Sequence, residues 1–234
     1  MKLPKNINPC PIVDALLEVR FTSTINANAV FGLIYSVLQK DFQKVETLPI
    51  LQLPDVVRAS DPNLKYKPYY KISNENFVIQ IGPDVILISS FPRYLGWEIF
   101  SKIIFDVLTK IEQIGIINVI ERIGIRYINF FENNIFEKIN LKVSIGSNDV
   151  LCKNTIIRTE IEQGEYSSTL QLANNAIING KNGSIIDIDT FVTKNLVNFF
   201  SKKNELINAG HLKEKELFYS LLSSEFLSTL NPTY

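Results

Sequence analysis

The fold is decided by the stretch Glu121-Arg122-Ile123-Gly124-Ile125-Arg126-Tyr127-Ile128-Asn129. Apolar side chains alternate in it with arginines, and a period of two is typical of a strand that buries one face. A shorter counterpart, Leu17-Glu18-Val19-Arg20-Phe21, lies in the first part of the chain. Each stretch is expected to form the first strand of one half of the chain. The repetition therefore predicts a sheet-based fold with two similar halves, residues 1–115 and 116–234, which would have arisen by duplication and pack as one globular unit.

The pattern around these strands predicts an α+β fold. In the first half, a strand over 12–22 is followed by an amphipathic helix whose N-cap is Asn26, and a second helix over 97–113 ends at Gly115. The second half repeats the order and closes with another amphipathic helix. Short strands are expected at 69–73, 77–81 and 85–89. A long strand is expected at 117–130, followed by strands at about 140–146, 154–163, 166–173 and 183–190. Turn sequences between them favour mostly antiparallel sheets with the helices packed on them.

Two stretches are harder to interpret. Residues 44–51 could form a strand, whereas the prolines between 48 and 68 predict a long irregular connection. A short helical turn is expected near 133–138.

Composition excludes several classes of function. Lysine and arginine together equal aspartate and glutamate at 24 each, so no net field draws the chain to nucleic acid or to an anionic membrane. A nucleic-acid site would need a local basic patch. Cys10 and Cys152 belong to no metal-binding pattern, which argues against zinc and against a disulfide framework. No apolar run approaches the roughly 20 residues of a membrane helix, so we expect a cytoplasmic protein without a membrane partner.

Few residues fit a catalytic role. His211 is the only histidine, and beside Gly210 it is expected to cap a helix or face solvent. The glycines of residues 179–184 lack the spacing of a phosphate loop and predict a hairpin instead. Asp187 and Asp189 share one face of a strand and could bind a metal if more carboxylates converged, although two solvent-facing aspartates explain the same spacing. We therefore expect no catalytic residue, no metal and no cofactor.

The arginines allow two interpretations. Arg122 and Arg126 lie about 13 Å apart on one side of the predicted strand. In the structural interpretation, Arg20 and Arg126 pair across strands with glutamates, for which the candidates are Glu18, Glu121 and Glu160. In the functional one, the guanidinium groups bind an anion or a partner. The candidate binding residues are Arg20, Arg122, Arg126 and Glu18, with Tyr94 and Trp97 from the aromatic loops.

Five segments together resemble a family of sporadically distributed bacterial proteins of unknown function, and the resemblance covers nearly the whole chain. They are Pro11 to Ala15 leading into Glu18-Val19-Arg20-Phe21, Gln80 to Asp84, Tyr94 to Glu98 with Phe100, Glu121 to Asn129, and Leu217 to Leu222. Asp14 stands where the family usually has glutamate, which keeps the charge. The resemblance implies no activity. The patchy occurrence of the family is similar to that of mobile or defence-associated genes.

These observations lead to one expectation and two alternatives. We expect a non-catalytic binding or adaptor protein in bacterial defence against phage, which recognises an anionic ligand or another protein, for instance one encoded by a neighbouring gene. The first alternative is a nucleic-acid-binding or nucleotide-binding protein. The second is a metal-dependent enzyme that uses Asp187 and Asp189.

Overall fold

The computed structural model describes residues 3–146, 148–149 and 154–234. Of the two cysteines only Cys10 is therefore described, and Cys152 lies outside these residues. The strands are β1 (Ile12–Ser23), β2 (Lys44–Thr47), β3 (Tyr70–Ser73), β4 (Phe77–Ile81), β5 (Val85–Ser90), β6 (Ile117–Glu132), β7 (Ser144–Ile145), β8 (Asn148–Asp149), β9 (Ile156–Gln163), β10 (Tyr166–Ile178) and β11 (Lys181–Val192). The helices are α1 (Ala27–Leu38), α2 (Asp55–Ser60), α3 (Trp97–Ile114), α4 (Phe199–Leu221) and α5 (Ser224–Thr229).

The predicted α+β class is confirmed. Nine strands form an antiparallel sheet in the order β2-β3-β4-β5-β1-β6-β11-β10-β9, and β7 pairs with β8 separately. No helix among the described residues is long and apolar enough to cross a membrane. The chain divides into two compact units. The first unit comprises Asp14–Ile125 and Phe191–Asn208, and the second comprises Met1–Val13, Arg126–Thr190 and Ala209–Tyr234. The duplication and its two halves stay predictions.

Strand alternation produces the core of the first unit. Leu17 of β1 pairs with Ile88 of β5, which pairs with Ile79 of β4, and none of the three side chains is exposed. Helices α1 and α3 add their own apolar stripes to this core. The next residue along β1, Glu18, lies on the opposite face of the sheet because successive side chains of a strand alternate. The polar face of the first unit is thus the face away from its core.

Apolar residues of several elements form the core of the second unit. Its buried cluster is made of Ile7, Phe131, Ile135, Ile139, Leu170, Leu172, Ile186, Ile188, Leu217, Phe218, Tyr219, Leu221, Leu222 and Leu230. The hairpin predicted around residues 179–184 joins β10 to β11. Its turn residues Asn179 and Gly180 both have positive φ, the conformation of the tight hairpin turns that asparagine and glycine favour.

Some local predictions were wrong. The strand over 44–51 ends at Thr47, because Pro49–Gln52 forms a 3₁₀ turn. The connection that follows contains α2 and a second 3₁₀ turn, Pro62–Leu64. A turn does form in the segment near 133–138, where the Lys138 nitrogen donates a 2.8 Å hydrogen bond to the Ile135 oxygen. Of the strand predicted over 140–146, only β7 forms.

Candidate functional site

A charged cluster lies on the polar face of the first unit and consists of Glu18, Arg20, Lys65, Tyr66, Glu121 and Arg122. Glu18 is its centre. The Glu18 Oε1 atom accepts a hydrogen bond of 2.8 Å from Arg20 Nε and another of 2.5 Å from Arg122 Nη1. One carboxylate therefore bridges two guanidinium groups. Arg20 does pair with Glu18, one of the predicted glutamates, but along its own strand and not across strands.

Aromatic rings hold the two arginines from the other side. The Arg20 Cζ atom lies 4.5 Å from the centroid of the Tyr66 ring, and the Arg122 Cζ atom lies 4.4 Å from the centroid of the Phe191 ring. Each guanidinium thus has a carboxylate at its edge and a π face against its plane, a combination that favours arginine over lysine. The cluster is preorganised before any partner arrives.

Tyr66 extends the cluster toward solvent. Its hydroxyl donates a 2.7 Å hydrogen bond to Glu121 Oε2, and Lys65 Nζ forms an ion pair of 3.2 Å with the same oxygen. Lys65 also lies above the Tyr66 ring, at 4.7 Å from its centroid. The hydrogen bond from Tyr66, followed by the charge of Lys65, lowers the pKa of Glu121. The pKa of Lys65 is raised, first by the interaction of Lys65 with Tyr66 and then by its interaction with Glu121.

Exposure rises steadily across the cluster. The exposed fraction of the side chain is 10% for Arg122, 15% for Glu18, 32% for both Arg20 and Glu121, and 42% for Lys65. Arg122 and Glu18 therefore form a buried base. Arg20, Lys65, Tyr66 and Glu121 form the accessible end, which carries both signs of charge around an aromatic ring.

Arg126, the third arginine among the predicted binding residues, belongs to the second unit. Its guanidinium binds Asp187 by two hydrogen bonds, Nε to Oδ1 at 2.8 Å and Nη2 to Oδ2 at 2.6 Å. This bidentate pair corrects the expectation that glutamates 18, 121 or 160 would be the partner of Arg126. It also occupies both oxygens of a carboxylate that the sequence offered as a metal ligand. Among the described residues, no group of three or more His, Cys, Asp and Glu side chains is placed to bind a metal ion.

Tyr94 and Trp97 lie away from the charged cluster. Both rings pack edge-on against Phe100, with centroid distances of 6.2 and 6.3 Å, and Phe100 is fully buried in the core of the first unit. The Trp97 indole nitrogen also donates a 3.2 Å hydrogen bond to Asn208. The structure therefore places these two aromatics with the core-facing helices, whereas Glu18, Arg20 and Arg122 are together on the opposite sheet face.

A second group of titratable side chains lies inside the second unit. His211 is within α4 and does not cap it, and its side chain is half-buried and not fully solvent-facing, which corrects the prediction. Its Nδ1 atom is 3.1 Å from the hydroxyl of Tyr127. Burial lowers the pKa of His211 to about 3, and burial raises the pKa of Glu214 to about 8. Perturbed pKa values often mark active sites, but Tyr127 and Glu214 are only 2% and 5% exposed, so a substrate has no access to them.

Lys65, Tyr66 and Glu121 were missing from the predicted site. Glu121 was predicted only as a pairing candidate for an arginine. These residues come together only in the folded chain, because Tyr66 is 55 residues from Glu121 in sequence. No periodicity connects an irregular segment to a strand so distant.

Two comparisons with known proteins gave no relative. A scan against protein-family models found no match, and a search of curated proteins also found none. The family resemblance stays a prediction.

Proposed function

We propose that the protein is a non-catalytic binding or adaptor protein that recognises another protein through the accessible end of the charged cluster. The observation that carries this proposal is the Arg20–Tyr66–Glu121 arrangement, in which a partly exposed arginine lies on a tyrosine ring whose hydroxyl is already held by a carboxylate. Arginine and tyrosine are the residue types that most often dominate protein interfaces. Their fixed geometry lowers the entropy that binding would cost.

The charges of the cluster favour a protein over a simple anion. Glu18 already occupies the edge of Arg20 and that of Arg122, so a phosphate or a free carboxylate would have to displace it. Lys65 is similarly engaged by Glu121. A protein surface can complement both signs of charge at once, whereas a nucleic-acid backbone offers negative charge alone.

The biological setting of the proposal rests on the family resemblance alone. A sporadic distribution similar to that of defence-associated genes suggests a role in bacterial defence against phage, with a partner encoded by a neighbouring gene. The cytoplasm is the compartment that this setting implies.

Binding measurements with three variants test the proposal. Purified wild-type protein is titrated with the proteins encoded by the adjacent genes, using calorimetry. Arg20→Ala and Tyr66→Ala are expected to weaken binding at least about tenfold, which corresponds to about 1.4 kcal/mol. Tyr66→Phe keeps the ring beneath Arg20 and loses only the bond to Glu121, so a smaller loss is expected. Lys102→Ala, an exposed lysine of α3, is the control that should bind normally.

Two results would contradict the proposal. One is the absence of binding to every neighbouring gene product. The other is binding of RNA or of a nucleotide that falls steeply with salt and is lost in Arg20→Ala, which would favour a nucleic-acid site instead. If catalysis is found and depends on Asp187 and Asp189 while Arg20→Ala is fully active, the metal-enzyme alternative replaces both.

A further inference from the structure

Strand β2 is at the end of the strand order of the nine-stranded sheet. It pairs on one side with β3, from Lys44 opposite Ser73 to Thr47 opposite Tyr70. A strand at the edge of a sheet carries backbone N–H and C=O groups that can pair with another chain. The β2 edge is therefore a surface on which a further strand can add to the sheet.

The chain around β2 buries no apolar residue in the isolated molecule. All residues from 43 to 71 are described, and none of them is buried. Val56 is 78% exposed, while Val45, Leu53 and Val57 are 41%, 40% and 43% exposed. Ordering a segment costs conformational entropy, and burial of apolar surface normally offsets it. Exposed apolar side chains close together are typical of interaction surfaces.

Contacts bring the exposed valines of α2 to the end of β2. The Arg58 Cζ atom of α2 lies 4.6 Å from the centroid of the Tyr69 ring. The backbone oxygen of Tyr69 accepts a 2.8 Å hydrogen bond from the Leu48 nitrogen, immediately after β2. Helix α2 is thus attached beside the C-terminal end of the edge strand. We call β2 together with Leu53, Val56 and Val57 the edge surface.

The charges of β2 are complementary to those of a second copy of the same strand. In an antiparallel pair centred on Val45, Lys44 lies opposite Glu46 of the second copy, and Glu46 lies opposite Lys44 of that copy. An alternative pair centred on Glu46 would place two glutamates opposite each other, which is unfavourable. Glu46 is held at 2.8 Å by Lys71 and at 3.1 Å by Lys44 of its own chain. The Lys44 side chain is 72% exposed, and an exposed ion pair stabilises little, so Lys44 can exchange its own Glu46 for that of another copy.

We propose that two copies of the chain form a homodimer through antiparallel pairing of their β2 strands, with the apolar residues of the edge surface covered in the same interface. An isolated lysine on an edge strand usually opposes strand addition. Here the opposing glutamate of the second copy removes that obstacle, so the same charge selects a second copy over an unrelated strand. The dimer is independent of the charged cluster and of its proposed partner.

Sedimentation equilibrium of the full chain over a wide concentration range tests the dimer. Wild-type protein is expected to dimerise. Lys44→Glu leaves four glutamates facing one another in two pairs, and Glu46→Lys leaves four lysines, so each variant should raise the dimer Kd by at least about tenfold. Lys102→Glu reverses an exposed charge elsewhere and should dimerise like the wild type.

Mixing the two charge variants separates repulsion from misfolding. A heterodimer of Lys44→Glu with Glu46→Lys restores two opposite-charge pairs, so the mixture should associate although neither variant does so alone. For the apolar part, Val56→Glu should weaken the dimer, whereas Val197→Glu, at a residue 82% exposed, should not. A wild-type protein that is monomeric throughout, a Lys44→Glu variant no weaker than Lys102→Glu, or a mixture that does not associate would each overturn the proposal.

Discussion

At the scale of single residues, the buried Glu214 and the half-buried His211 of α4 respond to pH in opposite directions. Burial raises the pKa of Glu214 to about 8 from a usual value of 4.5, although the neighbouring charge of Lys215 acts the other way. Burial lowers the pKa of His211 to about 3 from 6.5, with the repulsion from Lys215 as a second cause. Folding therefore favours a protonated Glu214 and a neutral His211, two forms that carry no charge.

The stability of the protein should fall as the pH rises from 6.5 to 8. The contribution of Glu214 is complete below pH 4.5 and is lost as the pH rises through 8, because the folded state binds a proton that the unfolded state has released. That of His211 is complete above pH 6.5 and is lost as the pH falls toward 3. The two contributions to the free energy of unfolding change in opposite directions between pH 4.5 and 6.5. Above pH 6.5, only the contribution of Glu214 still changes with pH. The free energy of unfolding should decrease by about 1.4 kcal/mol per pH unit in this window.

Denaturant unfolding at several pH values between 6.5 and 8 measures this slope. Glu214→Gln keeps the shape of the side chain without its titration, so it should flatten the curve and make the protein more stable than the wild type at pH 8. A control, Glu225→Gln, changes a carboxylate in the first turn of α5 and should leave the slope unchanged. Equal slopes in the wild type and in Glu214→Gln would contradict the prediction.

Single residues were predictable where a local rule applies. Arg20 pairs with Glu18 because residues two apart on a strand share a face. The same alternation placed Arg122 and Arg126 on one side of β6, but it could not show that Glu18 would bridge to Arg122 over 104 residues of sequence. For His211, sequence alone gave no sign of Tyr127, which lies 84 residues away. Long-range partners are decided by the sheet as a whole.

At the scale of elements, the end of α3 depends on one backbone conformation. Gly115 follows the helix with φ of +70°, and its nitrogen donates to the backbone oxygen of Glu112. A Cβ atom placed on it would meet nothing within 4 Å, so only backbone strain opposes a side chain there. Gly115→Ala should therefore destabilise the protein by about 1 kcal/mol, as measured by denaturant unfolding.

Gly32 is the matched position for that experiment. It lies inside α1 with an ordinary helical φ, and an added Cβ atom would again meet nothing within 4 Å. Gly32→Ala should stabilise the protein by about 0.5–1 kcal/mol, because alanine has the higher helix propensity. If the two substitutions change the free energy of unfolding in the same direction, the left-handed backbone conformation does not restrict which residue can occupy position 115.

Elements with clear periodicity were predictable and the others were not. Asn26 accepts a 3.0 Å hydrogen bond from the Asn28 nitrogen and caps α1 as expected. The strands and helices of regular pattern also form near their predicted bounds. No apolar residue from 43 to 71 is buried, so no hydrophobic period could have revealed α2 or the 3₁₀ turns. Helix α4 begins at Phe199, well before the apolar stripe that predicted it.

At the scale of the whole molecule, each compact unit is built from segments that are separate in the sequence. The first unit takes residues 116–125 and Phe191–Asn208 from beyond the predicted boundary at 115. Eight buried apolar side chains of this unit come from there: Ile116, Ile120, Ile123, Ile125, Val192, Leu196, Phe199 and Ile207. Their burial stabilises the fold by about 10 kcal/mol or more, which is comparable to the whole stability of a domain.

The fragment 1–115 should therefore be unfolded when it is expressed alone. It keeps β1 to β5 and three helices, but it lacks β6, the neighbour of β1 in the sheet. Glu18 would lose Arg122, and Trp97 would lose Asn208. Circular dichroism should show little regular structure in the fragment, and amide hydrogen exchange should show little protection. Co-expression with 116–234 should restore the regular structure and the protection, because together the two pieces supply every element of the first unit. A cooperative unfolding transition of the isolated fragment would instead mean that residues 1–115 are a domain in their own right. The eight buried side chains would then only strengthen a core that can already form.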